Sequence, residues 1–211
     1  MKNLHIGTKS DIIKNKAISH IVAIGTSTGG PKALQDVLPL MPGDVPAAFL
    51  IVQHMPPGFT KSLAERLDSM SELVVKEAED GETIKPGHAY IAPGDYHMLI
   101  SRQGEDSLII KLSHDPPVGG HRPSVDVMFS SLADTRFKNV IGVIMTGMGK
   151  DGSEGVKKLK HNNKGYVMVQ DEKSCVVYGM PKAAIQTGVV DAVVPLKEIA
   201  KEIRRILGVD R

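Results

Sequence analysis

The apolar run Ile21-Val22-Ala23-Ile24 breaks directly into Gly25-Thr26-Ser27-Thr28-Gly29-Gly30, and Pro31–Leu38 then reads as a helix. A buried strand, a tight glycine turn and a helix in that order are the opening of a layered α/β fold. Pro31 suits a first helical turn, where its missing N–H would have no partner. The turn places Ser27 at the carboxyl end of the strand, beside helix N–H groups able to meet negative charge. Either a phosphate cradle or a nucleophilic serine could use that geometry. The phosphate registers fail: Ser27 stands where a dinucleotide fingerprint needs its second glycine, and Pro31 follows Gly30 where a P-loop needs lysine. Gly25 to Gly29 does match the G-x-S-x-G nucleophile elbow. A plain tight turn is the alternative.

The same alternation continues. Strand-like Ala47–Val52 precedes a helical pattern over Thr60–Met70, in which Leu63, Ala64 and Leu67 share a face. Four short runs, at Val74–Lys76, His88–Ile91, His97–Ile100 and Leu108–Ile110, are separated by Gly and Pro and predict inserted hairpins. Ser124 is a plausible N-cap for a helix with Val125, Met128, Phe129 and Leu132 on one face. Strand Val140–Met145, the loop Thr146–Gly152, a helix through Leu159, strand Tyr166–Val169, a short helix at Pro181–Gln186 and strand Val189–Val194 follow. A last helix carries Ile199, Ile203 and Leu207 on one side. Continuous apolar strands between helices predict a doubly wound, mainly parallel β-sheet with helices on both faces. Residues 1–18 read as a linker or tail and 19–211 as one domain, with no internal repeat.

Composition removes several functional classes. With 211 residues, a net charge of +2, dispersed Lys and Arg and only 4% aromatics, the chain lacks the basic, stacking surface of a nucleic-acid binder. No apolar run approaches the ~20 residues of a membrane span, and Met1–His5 has no signal-peptide character. One cysteine, Cys175, forbids an intrachain disulfide and fits a reducing compartment. The expectation is a soluble, cytoplasmic protein without membrane insertion. No His, Cys or carboxylate spacing suits a metal, so neither metal nor cofactor is expected.

Ligand sites in such sheets gather at the carboxyl strand ends. His20 and His88 precede their strands, His97 lies in a hairpin segment, His161 follows a helix and His5 is in the tail. His54 directly follows Ala47–Val52 and is favoured; His114 and His121 compete from a Pro/Gly-rich loop. Asp151 sits in the Gly-rich loop after Val140–Met145, where an N-cap or first-turn helix carboxylate is the ordinary alternative. Ser27, His54 and Asp151 thus follow three different strands at one sheet edge, as nucleophile, base and imidazole-orienting carboxylate. Their order differs from the Ser…Asp…His of α/β-hydrolases. Cys175 reads as a small core residue, most methionines as core or loop fillers, and Arg122 and Lys150 as solvated charges.

With Gly25–Gly30, Gln53-His54-Met55, Ala92-Pro93-Gly94, His121–Val127, Thr146–Gly152 and Ser174–Pro181 in view, the chain resembles, over about residues 19 to 208, the catalytic domain of CheB-type chemotaxis methylesterases. The resemblance implies a serine hydrolase of glutamate γ-methyl esters on methyl-accepting chemotaxis receptors, able also to deamidate receptor glutamines. It puts the serine, histidine and aspartate on Ser27, His54 and Asp151, and oxyanion-site positions on Thr28 and Met148. It also implies a phospho-receiver domain as partner where the chain is part of a longer protein, since none is read in this sequence. Asp151→Asn is then expected to slow hydrolysis with thermal stability nearly unchanged. Two rivals stand beside this reading: a non-catalytic docking module and a nucleotide binder using the glycine loop.

Overall fold

The computed structural model describes residues 17–104 and 107–209, so most of the 1–18 tail lies outside the described residues. Seven strands form one parallel sheet: β1 His20–Thr26, β2 Ala47–Gln53, β3 Val74–Glu77, β4 His88–Ile91, β7 Val140–Ile144, β8 Tyr166–Gln170 and β9 Ala192–Val194. Their order is β3-β4-β2-β1-β7-β8-β9. β5 His97–Gln103 and β6 Ser107–Ser113 pair separately as an antiparallel hairpin.

Helices cover both faces. Helices α1 Gly30–Val37, α2 Phe59–Met70 and α6 Leu196–Leu207 pack one core against Val22, Ile24, Phe49, Ile51, Ile141 and Val143. On the other face α3 Val125–Asp134, α4 Ser153–Asn163, α5 Met180–Gln186 and the hairpin pack against Ile21, Ala23, Leu50, Val52, Ile144 and Val167. Alternate residues of β1 therefore feed opposite cores, the pattern of a strand buried on both sides. In α6, Ile199, Ala200, Ile203 and Leu207 are buried, while Lys197, Lys201 and Arg205 stay exposed.

The fold matches the doubly wound expectation, with one local difference. Of the four short runs read as hairpins, only β5 and β6 form one. β3 and β4 are parallel neighbours at the edge of the main sheet. Their connection carries no helix, and it hydrogen-bonds instead to β6, through Gly81 N to Ile110 O and Ile84 N to Leu108 O. The hairpin covers the sheet face that a crossover helix normally covers. The last strand is also shorter than read, because Val189 and Val190 pack against the second core before pairing begins.

The two halves of the sheet grow outward from β1, which pairs β2 on one side and β7 on the other. The loops after these strands open into the crevice where strand order reverses, the preferred ligand position of such sheets.

Candidate functional site

Register alone brings Ser27 beside His54. Thr26 pairs Gln53 as the last matched residues of β1 and β2, so Ser27 and His54 are the next residues on adjacent strands. The Gln53 side chain is buried and ties the two loops together. Its amide N–H group donates to Ser27 O at 3.0 Å and to His54 O at 2.9 Å, and its Oε1 accepts from Thr26 Oγ1 at 2.7 Å. His54 N donates to Thr26 O. No hydrogen bond joins Ser27 Oγ to His54 among the described residues.

Asp151 closes on His54 from the far side of β1. Its Oδ2 lies 2.7 Å from His54 Nε2, with both side chains nearly buried. The other ring nitrogen, Nδ1, is buried and has no hydrogen-bond partner. A carboxylate accepts only, so in the neutral ring it is Nε2 that carries the proton and Nδ1 that carries the lone pair. The Asp151 carboxylate accepts three further bonds: Ser124 Oγ–H at 2.9 Å, Val125 N–H at 2.7 Å and Asp126 N–H at 2.9 Å. It therefore sits on the N-terminus of α3, where helix N–H groups favour negative charge. Burial pushes its pKa up, but the His54 bond and the Asp126 and Val125 N–H groups outweigh burial and hold it below the usual carboxylate range.

Asp151 does not cap the helix that follows it: the N-cap residue of α4 is Gly152, and no side chain caps it there. That role falls to Asp126, whose Oδ1 accepts from Gly155 N at 2.7 Å. Burial, with the Asp151 charge adding to it, pushes Asp126 up. The two acids thus cap each other's helices. Close packing permits the exchange: a side chain on Gly25 would meet Val125 Cγ1 at 2.4 Å, so the start of α3 presses directly on the end of β1.

Gly147 is equally confined, since its Cβ would fall 2.3 Å from Met180 Sδ and 2.8 Å from Ser27 Cβ. These glycines admit the protein's own side chains to the site.

Thr28 follows Ser27 and Met148 follows Gly147 in the chain, and both are exposed. Neither backbone N–H donates a hydrogen bond among the described residues, whereas Ser27 N–H is spent on Thr146 O at 3.0 Å. Thr146 Oγ1 also donates to Thr28 O and accepts from Val176 N and Val177 N, fixing the loop.

The competing histidines separate clearly. His97 is buried and structural, its Nδ1 accepting from Ser124 N and its Nε2 donating to Pro116 O. His114 meets the Tyr96 ring edge-on. His121 stacks face to face on His54, with centroids 3.8 Å apart and planes 7° from parallel. Both line a cleft of about 260 Å³ with Met55, Pro56, Gly120, Arg122 and Pro123. A larger cavity at the opposite sheet edge, about 610 Å³, holds His20 and none of these residues.

Two expectations change. Arg122 is not a solvated charge: it pairs with Asp95 and donates to the carbonyls of His114 and Asp115, clamping its loop. Lys150 is exposed as read. Cys175 is half-buried rather than core, and burial together with Asp171 pushes its thiol up to about 11, which keeps it protonated at neutral pH. Among the described residues no three His, Cys, Asp or Glu side chains could jointly hold a metal, and no helix is long and apolar enough to cross a membrane.

Sequence reading missed the supporting polar groups Gln53, Thr146, Ser124 and Asp126. Gln53 directly precedes His54, and Ser124 was read only as a cap; their partners lie far away in the chain.

Fold and site together define a doubly wound α/β domain with a hydroxyl, an imidazole and a carboxylate at its switch point. The CheB methylesterase family model matches residues 22–203, and the chain belongs to that family. It is 50% identical over 197 residues to a protein-glutamate methylesterase/protein-glutamine glutaminase of Syntrophomonas wolfei, covering 92% of this chain and 56% of the relative. It is 55% identical over 185 residues to one from Halalkalibacterium halodurans, covering 88% and 53%. The chain therefore spans about half the length of these curated relatives. The crystal structure of the Thermotoga maritima CheB methylesterase catalytic domain superposes with a TM-score of 0.85 at 46% identity, covering 90% of this chain and 98% of that one.

Proposed function

We propose that residues 19–211 are a catalytic domain that hydrolyses glutamate γ-methyl esters on cytoplasmic segments of chemotaxis receptors and deamidates receptor glutamines, with Ser27, His54 and Asp151 as its catalytic set. The observation that carries this reading is the His54 ring: Nε2 is bound to Asp151 at 2.7 Å while Nδ1 is buried without a partner, one strand from Ser27. His54 Nδ1 takes the Ser27 proton as Oγ attacks the ester carbonyl. Asp151 steadies the imidazolium that forms. The Nδ1 proton passes to the departing methoxide, releasing methanol and leaving an acyl-serine. Water, deprotonated at the same nitrogen, then frees the glutamate and returns the proton to Ser27. With a glutamine the leaving group is ammonia, in keeping with the glutaminase named in the relatives. The uncommitted N–H groups of Thr28 and Met148 would meet the oxyanion, one such donor being worth about 2.7–4 kcal/mol of barrier. A phospho-receiver domain is the proposed regulatory partner in any longer protein that contains this chain, and no cofactor is required.

The test is methanol release from methylated receptor cytoplasmic fragments. Wild type releases methanol, and folded Ser27→Ala does not. Turnover by folded Ser27→Ala would remove Ser27 as nucleophile, and nucleotide-induced thermal stabilisation without ester turnover would favour the phosphate-cradle rival.

A further inference from the structure

The reaction just described uses three side chains, yet the base does not stand alone. One face of His54 is covered by the His121 ring at 3.8 Å, nearly parallel to it. His121 is presented by a rigid device. Val118 N donates to His121 O at 3.1 Å and His121 N to Val118 O at 3.0 Å, closing a two-residue turn. Gly119 and Gly120 occupy its centre with φ of 59° and 85°, the left-handed pair that this tight turn requires. The next residue, Arg122, is clamped to Asp95 and to two loop carbonyls. So costly a mounting holds one ring flat against another.

Asp151 fixes only one edge of His54, and the opposite nitrogen has no partner. A single hydrogen bond leaves the ring free to tilt about it, and a misplacement of about 1 Å can cost 10²-fold in rate. A flat neighbour removes that freedom. Burial, and then the nearness of His54, push the His121 imidazolium below its ordinary value, so the ring offered is neutral at neutral pH. A neutral π-face also tolerates the positive charge that His54 gains during turnover.

We propose that His121 is a positioning residue: its ring, stacked on His54, holds the imidazole with Nε2 on Asp151 and Nδ1 turned to the nucleophile loop. The shape of the side chain carries this role; no proton passes through it. The assignment rests on the esterase reading above.

The test compares His121→Ala with His121→Phe, which restores a flat ring without a titratable nitrogen. His121→Ala lowers kcat about 10–100-fold with KM changed less than about twofold, and His121→Phe recovers at least about a third of wild-type kcat. Ring ¹⁵N NMR of His54, identified by its loss in His54→Gln, supplies a readout independent of any substrate. Wild type and His121→Phe show one tautomer, protonated at Nε2, whereas His121→Ala shows exchange broadening or mixed tautomers. An unchanged His54 signal in folded His121→Ala overturns the proposal. So does His121→Phe as slow as His121→Ala, because the imidazole would then be acting as a chemical group. Failure of wild type to release methanol would sink the esterase reading while the NMR arm still decides the stack.

Discussion

Replacing Asp151 by asparagine tests the site most sharply, because the structure and the bare triad scheme predict different outcomes. In the triad scheme the asparagine mis-sets the His54 tautomer and leaves stability alone. The observed carboxylate has four donors around its two oxygens: His54 Nε2 and Val125 N at Oδ2, and Ser124 Oγ and Asp126 N at Oδ1. An asparagine has one acceptor oxygen and one NH₂. With NH₂ toward Oδ2 it faces Val125 N–H; with NH₂ toward Oδ1, Ser124 can turn to accept but Asp126 N–H cannot. Either placement sets donor against donor and leaves a backbone N–H of α3 unpaired. Losing one bond to a charged acceptor and orphaning its donor costs about 2–3 kcal/mol. For a domain of this size that lowers Tm by about 5–10 °C. The rate falls as well, by about 10⁴ where the tautomer is reversed, as in the serine-protease precedent. Scanning calorimetry and the methanol assay on the same preparation measure both. A Tm within about 2 °C of wild type would refute the four-donor account.

Acid behaviour and the Gln53 strap supply two more tests. Because the folded Asp151 carboxyl lies below its unfolded value, its stabilisation is complete above about pH 4 and is lost as pH falls through the folded pKa. Asp126, pushed up by burial, works the other way. The difference between wild-type and Asp151→Asn urea midpoints reports the Asp151 charge together with its effect on Asp126; it shrinks below pH 4, and a constant difference down to pH 2 contradicts the account. Gln53→Leu strips His54 O of its donor, while Ser27 O keeps Gly30 N and Thr26 Oγ1 keeps Val52 O. One orphaned carbonyl predicts a loss of about 1–3 kcal/mol in urea unfolding, with kcat down about 10–100-fold as the two loops loosen; unchanged values of both would remove Gln53 from the site.

Much of this protein is legible in its chain. The apolar runs at Ile21–Ile24, Ala47–Val52 and Val140–Met145 can be buried only on both faces, and helices between them force parallel pairing. Parallel strands put the loops that follow them on the same edge, so strand order alone brings Ser27, His54 and Asp151 to one edge. Local patterns fail where a partner is distant. The short runs of β3 and β4 look like hairpin arms because the hairpin that covers their helix-free crossover lies further along the chain. Ser124 reads as the cap of its own helix and Asp151 as the cap of the helix after it, and Asp126 carries no local signal of a distant partner. Only the packing of Val125 on Gly25 brings the two helix starts close enough to exchange carboxylates. The sequence determined which groups stand at the sheet edge, since strand polarity and period are local. The tertiary structure decided which donors each group meets, including the four around Asp151 and the ring stacked on His54, because those contacts join residues far apart in the chain.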